Sequence, residues 1–286
     1  MASRADLDRQ AALVARGPFP PAVSTRRSQD RRKYAQANAT ATHFNSGGGA
    51  NGGAYLDSGR SLESIFGATI SGFTIAMWFR FPVSVPSGPV GVFGASSSKT
   101  TNADGFGIHR VDSIIMLWAG AMADAEIIAV GVDTLWHHVV FGWDPTDGYL
   151  IYIDGVADTI TASYPVIPIP APSSATLRMG SVGDTASDTD GTYHSGISDE
   201  VMLFNRRLDG DEALRIYNDG ESITYNPRAP GAILGLIDWW RMGDGAFDDP
   251  TFDTGVIQSF GPENMDMIPR LEGARAGVIT LDDAVV

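Results

Sequence analysis

After Gly53 the apolar residues recur with a period of two. Phe73, Ile75, Met77, Phe79 and Phe81 alternate with Thr74, Ala76, Trp78 and Arg80, and Pro82 ends the run. That period predicts strands. Shorter apolar runs at 90–93 and 114–118, and a longer one at 136–143, predict further strands. The last is closed by the turn residues 144–148. Residues 149–153 lead into Asp154-Gly155, a two-residue hairpin signal, and 156–160 return. Pro165, Pro168, Pro170 and Pro172 restrict their stretch to an edge or an extended loop. Residues 177–180 precede a polar loop at 181–196. Beyond it, strict alternation places Ile197, Asp199, Val201 and Leu203 on one strand face.

Helical spacing occurs twice. Near the start, Ser3 and Asp6 resemble a capping box, Leu7, Ala11 and Val14 share a face, and Gly17-Pro18 stops the run. Late in the chain Asp209 caps and Glu212 is its box partner. Ala213, Leu214, Ile216 and Tyr217 form the apolar side, and Gly220 is the stop. Many short strands separated by turns, with one late helix, predict an all-β fold. The expected form is an antiparallel two-sheet jelly-roll sandwich with a basic N-terminal arm and a C-terminal extension. The glycine-rich run at 47–53 marks the boundary after the arm. The expected divisions are an arm at 1–45, a jelly roll at 46–225 and an extension at 226–286.

The 286 residues suffice for a sizeable core, and there is no cysteine for a disulfide or a thiolate site. No run approaches the roughly 18 apolar residues of a membrane span, and the first residues carry acids where a secretory signal needs an apolar stretch. The net charge of −14 is unevenly spread. Residues 1–45 hold eight Lys or Arg against three Asp, or +5, which leaves −19 on the remainder. An acidic body repels nucleic acid and anionic membrane. The arm is too polar to build a core, so it is either a disordered tail or is laid on a neighbouring surface. In the second case Leu7 and Val14 would be buried on the neighbour, and Arg26, Arg27, Arg31, Arg32 and Lys33 would meet its acidic groups.

Several segments resemble, in order, the LamG-like domains of the concanavalin A-like jelly rolls. They are Phe73-Thr-Ile-Ala-Met-Trp78, Trp136-His-His-Val-Val140, Tyr152-Ile-Asp-Gly155, Leu177-Arg-Met-Gly180 and Gly196-Ile-Ser-Asp-Glu-Val-Met-Leu-Phe-Asn-Arg-Arg-Leu208, followed by the helix ending at Tyr217. The likeness covers about residues 54–220. Such domains usually open with an aromatic strand and a Gly-acid-Gly turn. Here the matching Ile237-Asp-Trp-Trp-Arg-Met-Gly-Asp-Gly245 comes after the helix. A circular permutation, with 237–242 completing the sheet, and an extension packed on a partner both account for it.

The resemblance implies two functional readings. LamG-like domains with such tails look like those of bacteriophage virion proteins. This implies a non-enzymatic structural role in the virion, as capsid decoration or tail component, with the arms binding other virion proteins and copies of the chain. The alternative is a carbohydrate-binding module recognising surface glycans. Glucanases on this fold carry spaced strand acids, about 5–5.5 Å apart in a retaining pair. Here Asp199 and Glu200 are adjacent and cannot form that pair. Sugar faces stack on aromatic rings, which makes Trp118, Tyr193, Trp239 and Trp240 the candidates. Asp184, Asp188 and Asp190, with Asp199, offer hard oxygen ligands suited to Ca²⁺; a solvated acidic loop, and for Asp199 a tie to backbone N–H groups, are the alternatives. His137 and His138 point to opposite faces of one strand and are expected to pack and hydrogen-bond.

Overall fold

The computed structural model describes residues 40–45, 52–81, 89–96, 105–111, 114–119, 127–131, 134–157, 169–170, 175–182, 193–217, 232–242, 248–251, 254–273 and 278–283. In chain order the elements are β1 (Thr40–Asn45), β2 (Gly52–Ser61), α1 (Leu62–Phe66), β3 (Thr69–Ile70), β4 (Phe73–Arg80), β5 (Pro89–Ala95) and β6 (Phe106–Val111). Next come β7 (Ile114–Ala119), β8 (Ile127–Gly131), β9 (His137–Asp144), β10 (Gly148–Ile153), β11 (Val156–Ala157), β12 (Ile169–Pro170) and β13 (Thr176–Met179). The last are β14 (Gly196–Phe204), α2 (Gly210–Tyr217), β15 (Leu236–Trp240), β16 (Ile268–Gly273) and β17 (Val278–Asp283).

Two antiparallel sheets face each other as a jelly-roll sandwich. One runs β11-β10-β9-β4-β14-β1-β17, with β15 also on β14, and the other runs β16-β2-β13-β5-β6-β7-β8. Their inward faces interleave into one core, in which Phe73 stacks on Phe106 at 4.0 Å and meets Phe141 edge-on at 5.4 Å. Within the proline-rich stretch the described residues form β12, a two-residue strand paired with β3.

The turns form for local reasons. Asp144 Oδ1 accepts the N–H groups of Thr146 and Asp147, both at 2.7 Å, and so closes the β9–β10 hairpin. Asp154 and Gly155 both have positive φ, the geometry that a two-residue hairpin requires. Gly155 is also the floor for Tyr217: a Cβ there would lie 2.3 Å from the ring. Asp209 and Glu212 form a reciprocal box at the start of α2, each accepting the other's backbone N–H at 2.8 and 3.0 Å.

Helix α2 covers the outer face of the eight-stranded sheet. Leu208, Ala213 and Ile216 pack with Ala76, Val140, Met202 and Phe204 in a second apolar layer. The Thr74 hydroxyl reinforces it, donating to the Arg206 carbonyl at 2.8 Å and accepting from Leu208 N–H at 2.9 Å. Leu214, predicted on the apolar side of this helix, is exposed. Eight residues present only a narrow stripe, which Ala213 and Ile216 occupy.

Three expectations need correction. Ile197, Asp199, Val201 and Leu203 do not share a face. Asp199 pairs with Trp78 and Met202 with Ala76, so β14 holds one extra residue, and Glu200 takes φ 48° to absorb it. The bulge reverses the alternation. Val201 and Leu203 enter the main core, while Ile197 packs apart from it against Trp136. Second, residues assigned to the arm form β1, a strand between β14 and β17. Third, the described residues beyond 225 form three strands, where one was expected. β15 pairs with β14, β16 with β2 and β17 with β1. The strand expected at 237–242 thus completes the sheet from the C-terminal side, over Leu236–Trp240.

Ending the chain after Tyr225 would remove all three strands and uncover Phe44 and Leu56. Deleting the Trp240 side chain alone is expected to cost about 3–5 kcal/mol. The shortened chain is expected to lose its cooperative thermal transition, while Trp240→Ala keeps it at a lower Tm; calorimetry of the two variants checks this.

Candidate functional site

The structure separates the aromatic candidates. Trp240 is 0% exposed, enclosed in the main core, and its Nε1 donates to the Met265 carbonyl at 2.6 Å. Tyr193, 2% exposed, lies over Gly53 and 6.2 Å from the Tyr55 ring. Neither ring can stack on a sugar in this fold, because neighbouring groups cover both. The backbone of Trp118 lies in β7, and its side chain is outside the described residues. Trp239 is half-buried on the outer face of the sheet, at the margin of the layer that α2 covers.

Trp239 is the centre of a cluster. Its Nε1 donates to Glu200 Oε2 at 2.6 Å, and Arg241 Nε lies 3.4 Å from Glu200 Oε1. The Arg241 guanidinium sits 5.5 Å from the Trp239 ring centroid and 5.9 Å from that of Phe260. The two rings are tilted by 57° with centroids 5.9 Å apart. The β14 bulge is what turns Glu200 toward Trp239 and Arg241. Glu200 is 4% exposed, so its charge would be costly without those two donors. Arg241 is 22% exposed and compensates it. The result is a half-exposed aromatic corner with an internally balanced pair of charges. Sequence reading found Trp239 and missed Glu200, Arg241 and Phe260. Arg241 lies two residues from Trp239, but only tertiary structure brings Phe260 and the bulge to it.

Beneath this corner lies a buried carboxylate. Asp238 pairs with Leu203, whose side chain enters the core, so it faces inward. Its Oδ1 accepts Trp239 N–H and Gly261 N–H, both at 2.8 Å, and the Ser259 hydroxyl; its Oδ2 accepts Met265 N–H at 2.7 Å. Burial pushes the Asp238 carboxyl above the usual carboxylate range, and these four donors oppose that shift. Gly261 is required here, because a Cβ would overlap Asp238 Oδ1.

The remaining predicted residues fall as follows. Asp199 is 0% exposed, and its Oδ1 accepts Glu200 N–H at 2.8 Å, which ties the bulge. Asp184, Asp188 and Asp190 lie outside the described residues, as do Leu7, Val14, Arg26, Arg27, Arg31, Arg32 and Lys33. Among the described residues no group of three or more His, Asp or Glu is placed to hold a metal ion. His137 and His138 do point to opposite faces. His137 Nδ1 lies 2.8 Å from Asp154 Oδ2, while the His138 ring packs 5.0 Å from Trp78 and 5.6 Å from Tyr217.

His138 is buried, and desolvation holds its pKa down at about 3 against the pull of Asp154. It is therefore neutral when folded, whereas the unfolded chain takes up a proton near the ordinary value of 6.5. Stability contributed by this group is complete above pH 6.5 and is lost as pH falls toward 3. His138→Gln removes that dependence. The Tm advantage of the wild type over His138→Gln is expected to narrow as the pH falls from 6.5 to 4, in thermal melts taken at steps across that window.

A two-sheet jelly roll with a half-exposed aromatic corner is an architecture of the lectin type. A laminin-G family model, described as the concanavalin A-like lectin/glucanases superfamily, matches residues 48–214, more than half of the chain. The chain belongs to that superfamily. No curated protein matches it by sequence. Among solved structures, it is similar to a candidate carbohydrate binding protein from Bacteroides ovatus, at 15% identity and TM-score 0.57 over 87% of this chain; the match spans 61% of that protein's length. It is also similar to the native heptameric SAP-like pentraxin from Limulus polyphemus, at 11% identity and TM-score 0.51, covering 84% of this chain and 97% of the pentraxin. At these identities the likeness is one of fold.

Proposed function

We propose that this protein is a non-catalytic carbohydrate-binding module and that it binds uncharged glycans at the Trp239 corner. The observation that carries this reading is the half-exposed pair Trp239 and Phe260, tilted against each other beside Arg241. Aromatic rings with polar groups at their edges suit the alternating C–H and hydroxyl character of a pyranose. The Glu200–Arg241 pair is internally compensated, so the corner offers no net charge to an acidic sugar. The chain's net charge of −14 also disfavours the approach of one. The description of the Bacteroides ovatus protein as carbohydrate-binding agrees with this reading.

The fold alone does not carry the proposal, since one jelly roll hosts many roles. The non-catalytic part rests on the acids at the corner. Glu200 is occupied by Trp239 and Arg241, and its neighbour Asp199 by the bulge. Tethering to other virion subunits rests on the arm, and no described contact favours it over glycan binding.

The test is a panel of neutral oligosaccharides and their carboxylated counterparts, with binding measured by calorimetry. Binding is expected among the neutral members, and Trp239→Ala is expected to weaken it about tenfold or more, or about 1.4 kcal/mol. Equal binding of the carboxylated members would overturn the assignment to uncharged glycans. Unchanged binding by Trp239→Ala would move the site elsewhere.

A further inference from the structure

We infer that Asp238 is the positioning residue of the glycan site and Phe260 its second contact ring; this rests on the glycan-binding reading. Phe260 is twenty-one residues beyond Trp239, and a single antiparallel bridge, Trp240 to Ser259, brings its segment alongside β15. The inward carboxylate of Asp238 is what fastens the segment there from the side chain. The segment 257–267 runs antiparallel beside β15 before it reaches β16 on the opposite sheet, and Ile257, Met265 and Met267 anchor it in the main core. Between those anchors the Asp238 carboxylate gathers three points of the segment: the Ser259 hydroxyl, Gly261 N–H and Met265 N–H. Two of them flank Phe260 directly. With both neighbours held from below, Phe260 donates its own N–H to the Trp239 carbonyl at 2.7 Å, and its ring turns outward beside Trp239.

The acceptor count explains why a carboxylate is required. Both oxygens are used, Oδ1 by three donors and Oδ2 by Met265 N–H. An amide has one acceptor oxygen, so Asp238→Asn turns an N–H₂ group toward one set of donors. Either Met265 or the Ser259–Gly261 turn then loses its acceptor, and the segment that carries Phe260 loses at least one of its ties to Asp238. Asp238 itself faces the core and touches no sugar. It acts through Phe260, whose position beside Trp239 sets the width of the platform.

The experiment uses the full chain and the tightest-binding neutral oligosaccharide of the panel. Affinity is measured for Phe260→Ala, Asp238→Asn, Ser259→Ala and a control, Leu177→Val, a core change in β13 of the other sheet. The same proteins, labelled with 5-fluorotryptophan, give a ¹⁹F resonance for Trp239, assigned by its loss in Trp239→Phe. Phe260→Ala is expected to weaken binding about tenfold. Asp238→Asn and Ser259→Ala are expected to weaken it at least fivefold and to shift the Trp239 resonance, and Leu177→Val to do neither. If Asp238→Asn does not fold, Ser259→Ala decides. Wild-type affinity in Ser259→Ala with an unmoved resonance overturns the inference, as does an equal loss in Leu177→Val. Loss of binding in Trp239→Ala with none in Phe260→Ala removes the inference and leaves the glycan reading standing. A wild type that binds no neutral oligosaccharide removes both.

Discussion

The β-bulge at Glu200 is the constraint on which the rest of the molecule depends. Strand β14 lies at the middle of the eight-stranded sheet, bonded to β4 along one edge and to β1 and β15 along the other. All nine of its residues are buried. A strand so enclosed cannot slip by one residue without exchanging its two faces. The extra residue performs that exchange once, at a fixed place. Before it, Asp199 lies on the outer face with Trp78; after it, Val201 and Leu203 fill the core and Met202 and Phe204 meet the helix layer. A left-handed backbone at a glutamate is strained, and here the strain is offset by the Asp199 carboxylate on the Glu200 N–H and by two donors on the Glu200 side chain.

The bulge also links fold to proposed function. It turns a buried carboxylate toward β15, where Trp239 and Arg241 neutralise it. One strand further, Asp238 presents its carboxylate to the opposite side of the same sheet and holds the segment that returns Phe260 to Trp239. Two buried acids, one facing out through the bulge and one facing in, thus fix the two rings from behind. Each acid receives donors that belong to the backbone or to the corner: four on Asp238, two on Glu200. The half-exposed surface they leave is apolar with balanced charge, which suits recognition by ring faces.

Much of the fold is legible in the residue pattern. The alternation at 73–81 predicts β4, Asp154-Gly155 predicts the β10–β11 turn, and the Asp209–Glu212 spacing predicts the box that starts α2. Each depends on interactions within a few residues, so local spacing carries it. Leu214 shows the limit on the helix: its spacing is apolar, but the helix is too short to bury more than one narrow stripe. Trp239 and Trp240 show the limit at the site. Adjacent residues on a strand point to opposite faces, and only the pairing of β15 with β14 decides which ring enters the core.

The sequence by itself determined the all-β class, the order of the strands between 73 and 204, the late capped helix and the uneven charge. These follow from periods and turn residues that act over short distances. Tertiary structure alone decided the reversal of faces at Glu200, the return of β16 and β17 from the C-terminal stretch to the two sheets, and the meeting of Phe260 with Trp239. Each joins segments far apart in the chain, and a bulge gives no period by which it could be read. What selects it is the burial of β14 on both faces and both edges, a condition that exists only once the sheets have closed.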